Sequence, residues 1–468
     1  MREWRPSALD ALLLAFVVAS AITVSSLPAI VVLVCMGAVA GARLARDPRR
    51  IDPLIALILA NEAYWFISAF LLAAVPLSNL LAYQFWRWDG RIFIYYLPFI
   101  FFLSVPVSLA TARRALACAL VFSAVVALLG AAQFTFDISL PFGIHLVETG
   151  LGPPGEGTNP VRLFTGFQAS HDVTGTYYGL IALTWAVLAV SLPDPELPMS
   201  RPLLMVLLGC VFVAFVLAVS RAAYAGLAAA LIYQSVRWVR RGWSPRLGTL
   251  ALVGVAAVAV AVGASASVRA RLDVVALGRL GHTSGSDYDV SGRIREWRQT
   301  LPLIWASPII GIGFSRWNDV LEDSPVSPDA GLDAPRFHGL RGLFWLARDV
   351  KVLNADVSPH SSYVLRWSEI GAVGVALLAC FWLVVWRRLR VVARATQEAT
   401  FPAALACAAE VCIVFVAVEA LFNDAFGAPG EGFPLALIAG LALATAHQPP
   451  SHRATERRDI RKGMMGGE

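Results

Sequence analysis

The sequence predicts an all-α, polytopic membrane protein with about 12 transmembrane helices and one large helical loop outside the bilayer. Three observations predict it. Of the 468 residues, 57% belong to the AVILMFWYC set and only 15% are charged, whereas a soluble domain carries roughly 25% charged residues. Apolar stretches of about the 20 residues that a helix needs to cross a bilayer recur along the chain. The basic residues between them fall in alternate loops. Disorder, collagen-like repeats and an ordinary cytosolic enzyme are excluded by the same composition.

The candidate spans lie near 8–25, 27–42, 52–75, 92–110, 115–134, 173–192, 202–220, 222–238, 247–264, 361–386, 401–422 and 430–446. The first has no convincing cleavage site and is followed at once by another, so it reads as a retained span rather than a removable signal peptide. Alternate connections hold Arg2 and Arg5, then 43–50, Arg113–Arg114, Arg201, 237–246, 386–394 and 452–462. Together these contain 22 of the 38 lysines and arginines. By the positive-inside rule both termini are then cytoplasmic, which fits an even number of spans. The expected organisation is 1–264 for the first nine spans, with an outer loop near 135–172; 265–360 for the large outer loop; 361–446 for the last three spans; and 447–468 for a basic cytoplasmic tail.

The formal charge is +6, and among the basic residues only Lys351 and Lys462 are lysines. In a membrane chain this charge does not point to nucleic acid. Arginine stays protonated and offers a planar fork suited to phosphates. The 16 basic residues outside the cytoplasmic clusters include Arg87, Arg91, Arg162, Arg221, Arg293, Arg295, Arg298, Arg316, Arg336 and Arg366. The positive-inside rule disfavours them there, so each invites a reason: a phosphate-bearing substrate, or a loop carboxylate such as Asp273, Glu296 or Asp319. The six cysteines all fall in apolar stretches, without a CxxC, which argues against a disulfide framework or a zinc ribbon.

Four stretches carry candidate chemistry. In 359–375, His360 sits where the large loop meets the tenth span, with Tyr363, Glu369, Gly371 and Gly374 following. A neutral imidazole at a membrane mouth suits proton abstraction from a hydroxyl near pH 7, although a histidine there could equally bond loop carbonyls. In 218–230, Arg221 lies at the outer junction of two closely connected spans. In 291–317, Arg293, Arg295 and Arg298 precede an amphipathic run that ends at Pro308 and the Gly311/Gly313 turn. In 162–181, the first outer loop re-enters the membrane. Arginines at several span mouths suit a pyrophosphate, because bidentate Arg–phosphate bonds are strong and directional and fixed cations stabilise charge on a leaving group.

Together these residues resemble the superfamily of O-antigen ligases and Wzy-type O-antigen polymerases, bacterial membrane glycosyltransferases of GT-C-like fold. The resemblance rests on His360-Ser361-Ser362-Tyr363 with Glu369-x-Gly371-x-x-Gly374, on Ser220-Arg221-Ala222 through Leu227, and on Gly292, Arg293, Trp297, Pro308, Gly311 and Gly313. It covers roughly 160–375. This chain has His171-Asp172 where the family usually has a Pro-Asn pair, and Ser361 where Asn is common. The resemblance implies transfer of a glycan from undecaprenyl diphosphate to a hydroxyl acceptor at the periplasmic face of the inner membrane, inverting and independent of metal or other cofactor. The acceptor would be lipid A-core, a growing glycan or a protein. It implies His360 as the general base, Arg221, Arg293 and, more loosely, Arg162 as diphosphate ligands, and Glu369 and Tyr363 as supporting residues.

Other features compete. Asp287-Tyr288-Asp289 has the D-x-D form of metal-dependent nucleotide-sugar transferases, but lies outside the membrane. Trp88-Asp89-Gly90 resembles an oligosaccharyltransferase signature without its soluble domain. His338, His145 and His171 lack a supporting pattern, and no His/Cys/carboxylate group has metal spacing. Glu62, Glu410 and Glu419 are costly inside spans; each either closes the cavity against an arginine or is satisfied within the bundle. Trp297 and Trp317 could stack on sugar rings. A transporter of the lipid-linked glycan is the alternative class, but no half-repeat is evident.

Overall fold

The computed structural model describes residues 7–22, 26–47, 51–68, 92–136, 146–150, 161–167, 171–218, 220–239, 297, 300–301, 303–305, 307–311, 361–395, 400–423 and 429–446. In chain order the elements are α1 (Ala8–Ala21), α2 (Ser26–Arg46), α3 (Pro53–Ile67), α4 (Ile92–Ser104), α5 (Leu109–Phe136), β1 (Val147–Gly150), β2 (Val161–Phe164), α6 (His171–Ser191), α7 (Arg201–Leu217), α8 (Arg221–Val239), α9 (Ser362–Ala395), α10 (Phe401–Glu419) and α11 (Pro429–Ala446). The protein is helical, as the composition requires. Each expected span has its helix except 247–264, which lies outside the described residues. Leu109–Phe136, Asp172–Ser191, Ser362–Arg394 and Phe401–Glu419 are long and apolar enough to cross a membrane. The departure from helix is local. Within the 135–172 connection, β1 and β2 pair antiparallel, with Thr149 opposite Arg162.

Helix starts follow the sequence. Ser7 and Asp10 form a capping box for α1. Asp52 caps α3 by accepting from the Leu54 amide at 2.7 Å, with Pro53 in the first turn. Pro202 and Pro402 occupy the first turns of α7 and α10.

Helix α10 is the centre, packed against α6, α8, α9 and α11. It is rich in alanine, and Ala404, Ala406, Ala408 and Ala409 are buried, which lets neighbouring backbones approach. Phe415 of α10 is a knob between two glycines. A Cβ on Gly179 of α6 would lie 2.7 Å from its ring, and one on Gly226 of α8 would lie 2.8 Å from its carbonyl oxygen.

Polar contacts gather at two ends. At the lower end Thr111 donates to Asp10 at 2.6 Å, Arg388 pairs with Asp52 at 2.6 Å, Arg113 pairs with Glu196 and covers the Phe401 ring, and Arg201 pairs with Asp194. All of these arginines come from the clusters expected on the cytoplasmic side. At the upper end lie the β hairpin, the starts of α6, α8 and α9, and the end of α10.

Candidate active site at the upper end of the bundle

The site is built by short chain crossings. The hairpin is tied down first: Gln133 of α5 accepts from the Leu146 amide at 2.7 Å, and the amides of Thr165 and Gly166 donate to the Leu146 carbonyl. Phe164 then seats on Gly130. Thr174 in the first turn of α6 donates to the Thr165 carbonyl at 2.6 Å, so the hairpin fixes where α6 begins. A Cβ on Gly175 would fall 2.7 Å from that of Ser220, so α6 and the start of α8 touch. Ser220, fully buried, caps α8 by accepting from the Ala223 amide at 3.3 Å. Arg221 is the first residue of α8 and is exposed.

The start of α9 is held against the end of α10. The Ser362 amide donates to the carbonyls of Ala420 and Asn423 at 3.0 and 3.1 Å, and Tyr363 donates to the Ala417 carbonyl at 2.8 Å. Glu419, fully buried in the same turn, accepts from Thr176 of α6. Three helix starts and one buried carboxyl therefore converge. Helix N-termini carry unpaired N–H groups and a positive partial charge, which suits an anion.

One helical turn deeper, Arg366 and Glu369 form an ion pair at 2.6 Å, with side chains 1% and 2% exposed. Arg366, read from sequence as one of the outer arginines, is thus already matched by a carboxylate. Beyond it α9 kinks at Gly371 (φ 62°). The turn at 307–311 docks into this kink: the amides of Ala372 and Val373 donate to the carbonyls of Pro308 and Ile309 at 2.9 and 3.0 Å, and the Trp367 indole donates to Pro308 at 3.1 Å. Tyr64 of α3 closes the junction, donating to the Ile370 carbonyl at 3.0 Å. Two sequence motifs, Pro308-x-x-Gly311 and Glu369-x-Gly371, are one interlocked unit.

The expected site residues divide accordingly. Arg221 is at the upper cluster. Arg162 lies on β2, where only its backbone is described. Tyr363 and Glu369 are placed, and their contacts in the bundle hold α9. His360 and Arg293 lie outside the described residues, as do Asp287, Asp289, Trp88, His338, His145 and Trp317. Glu410 is held within the bundle by Arg237 and by Tyr233 at 2.9 Å. Sequence reasoning missed the clustering of Glu419 and Thr176 with the helix starts, because it depends on contacts 243 residues apart.

Two comparisons bear on this arrangement. No curated protein matches the chain. Residues 204–379 match the family model described as O-Antigen ligase. The matched stretch runs through α7 and α8, contains the 307–311 turn, and ends inside α9 beyond the Gly371 kink. Over these residues the chain is similar to the O-antigen ligase family.

Proposed function

We propose that the chain transfers an oligo- or polysaccharide from undecaprenyl diphosphate to a hydroxyl acceptor, in the manner of an O-antigen ligase, with the upper end of the bundle at the periplasmic face. The observation that carries this reading is the convergence of the starts of α6, α8 and α9 at the upper end, with Arg221 exposed there. That arrangement suits a diphosphate. The lower end bears the arginines of the clusters that the positive-inside rule puts in the cytoplasm.

His360, directly before the anchored Ser361–Ser362 turn, takes the proton of the acceptor hydroxyl. The acceptor oxygen attacks the anomeric carbon opposite the diphosphate. The carbon–oxygen bond to the carrier breaks, its electron pair leaves with the diphosphate, and the configuration inverts. Arg221, with Arg293 and Arg162, stabilises the departing charge. No step needs a metal ion.

The test is transfer in proteoliposomes holding the purified full chain and lipid-linked glycan, with acceptor added outside. Appearance of acceptor-linked glycan supports the reading. Movement of the carrier across the bilayer without transfer rejects it in favour of transport. In the host, loss of the gene should leave lipid A-core bare while long polymer stays on the carrier. A core bearing a single repeat unit marks a polymerase instead.

A further inference from the structure

Helix α9 carries one outward stripe down to its lower end. At spacings of three and four residues, Val373, Ala376, Cys380 and Leu383 are exposed, and the same stripe continues through Arg387, Val391 and Arg394. On the other side of the helix Val385, Leu389 and Ala393 are buried in the core, so the last turns stay packed on the bundle and the stripe faces out. Its character changes once, between Leu383 and Arg387. From Ser362 to Leu383 a helix rises by about 30 Å, the thickness of a bilayer's hydrocarbon core. Arg387 and Arg394 then lie at headgroup level, about 10 Å apart along the axis. Trp386 sits at the same boundary, with the Arg390 guanidinium over its ring at 4.7 Å, where an aromatic side chain suits a membrane interface.

Other lower-end arginines are already matched: Arg113, Arg201 and Arg388 pair with Glu196, Asp194 and Asp52. Arg387 and Arg394 are exposed and have no carboxylate partner among the described residues. Val391 between them is 66% exposed, so the row is amphipathic rather than purely cationic. We propose that this stripe of α9 is a binding surface for an anionic phospholipid. The acyl chains lie along Val373 to Leu383, and the phosphate meets Arg387 and Arg394, with Arg390 beside them. Arginine suits a phosphodiester because its planar fork can make two parallel hydrogen bonds. A lipid such as phosphatidylglycerol brings a net negative charge, which the ammonium of phosphatidylcholine cancels. A soluble acidic partner would use the charges alone, whereas a lipid uses both halves of the stripe. The surface rests on no part of the transferase reading.

The test uses the purified full chain in detergent, titrated with dioleoyl phosphatidylglycerol or dioleoyl phosphatidylcholine and read by native mass spectrometry. Phosphatidylglycerol should bind the parent more tightly. At low salt, Arg387→Gln or Arg394→Gln should weaken it about fivefold and the double variant about thirtyfold, the usual worth of basic residues at an anionic surface. Added salt should shrink these differences, and phosphatidylcholine should bind all variants alike. Arg43→Gln/Arg46→Gln removes two exposed arginines from the last turn of α2, and an equal loss there overturns the proposal, because the attraction is then one of overall charge. Arg387→Lys/Arg394→Lys keeps the charge and should keep most of the affinity. A loss as large as that of the glutamine pair overturns the proposal too, since the substitutions then act through the fold. Displacement of phosphatidylglycerol by an equal concentration of glycerol phosphate also rejects it, because the arginines then hold a free phosphate and not a lipid.

Discussion

Gly311 and Gly371 meet back to back. A Cβ on Gly311 would lie 2.2 Å from the Glu369 carbonyl oxygen, and one on Gly371 would lie 2.3 Å from that of Ile309. Both glycines have positive φ, 78° and 62°. Each substitution therefore meets a backbone clash as well as the left-handed penalty of roughly 1–2 kcal/mol. Gly371→Ala should also break the hydrogen bonds that the Ala372 and Val373 amides donate to the 307–311 turn, for a total loss of about 3 kcal/mol. Denaturant unfolding in detergent checks this, and an unshifted midpoint rejects the interlock.

Arg366 and Glu369 make a sharper case, because both side chains are nearly inaccessible. Removing either partner strands a buried charge, so Glu369→Ala or Arg366→Ala should cost about 3–5 kcal/mol. Replacing both by apolar residues of similar volume, Arg366→Met with Glu369→Leu, should recover most of that loss. A double-variant cycle measures the coupling. Losses that simply add would show that the pair is not an energetic unit.

Glu410 and Arg237 predict the opposite pattern for function. Glu410 is fully buried at mid-helix and Arg237 reaches it from the last turn of α8. Neither is near the upper cluster. Arg237→Met should destabilise by about 3 kcal/mol and leave the KM for lipid-linked donor unchanged in the protein that stays folded. A raised donor KM at full folded fraction would place Arg237 in the substrate path.

Much of this was legible in the sequence. The helical class, the helix starts at Asp52-Pro53 and Phe401-Pro402, and the grouping of lower-end arginines follow from composition, the Asp52 cap, first-turn prolines and charge order. The glycine motifs were visible as patterns, but not their interlock. Ile309 and Val373 are far apart in sequence, and no local periodicity reports a contact of that kind. The Arg366–Glu369 pair could have been found, since i,i+3 on a helix puts the two side chains on one face. The buried positions Asn61, Trp65 and Ser68 at α3 could also have been found, since i, i+4 and i+7 share one helix face inside an apolar stretch. Thr176 against Glu419 could not. The hairpin escaped because two four-residue strands lie within a Gly- and Pro-rich connection that reads as loop.

On the proposed mechanism, Arg221 and His360 separate binding from chemistry. Arg221 is exposed at the first turn of α8, where its guanidinium adds to the positive end of the helix. Arg221→Ala should weaken binding of undecaprenyl diphosphate and raise the donor KM. Arg221→Lys should not restore either fully, because an ammonium keeps the charge but loses the fork. His360→Ala should instead leave carrier binding intact and lower the turnover by about 10²–10⁴-fold, the usual worth of a general base. Both quantities come from one set of proteoliposome assays, with carrier binding measured separately. Parent-like turnover in His360→Ala removes it as the base. Unchanged carrier affinity in Arg221→Ala removes the diphosphate from the start of α8, and the anion must then be sought at α6 or α9.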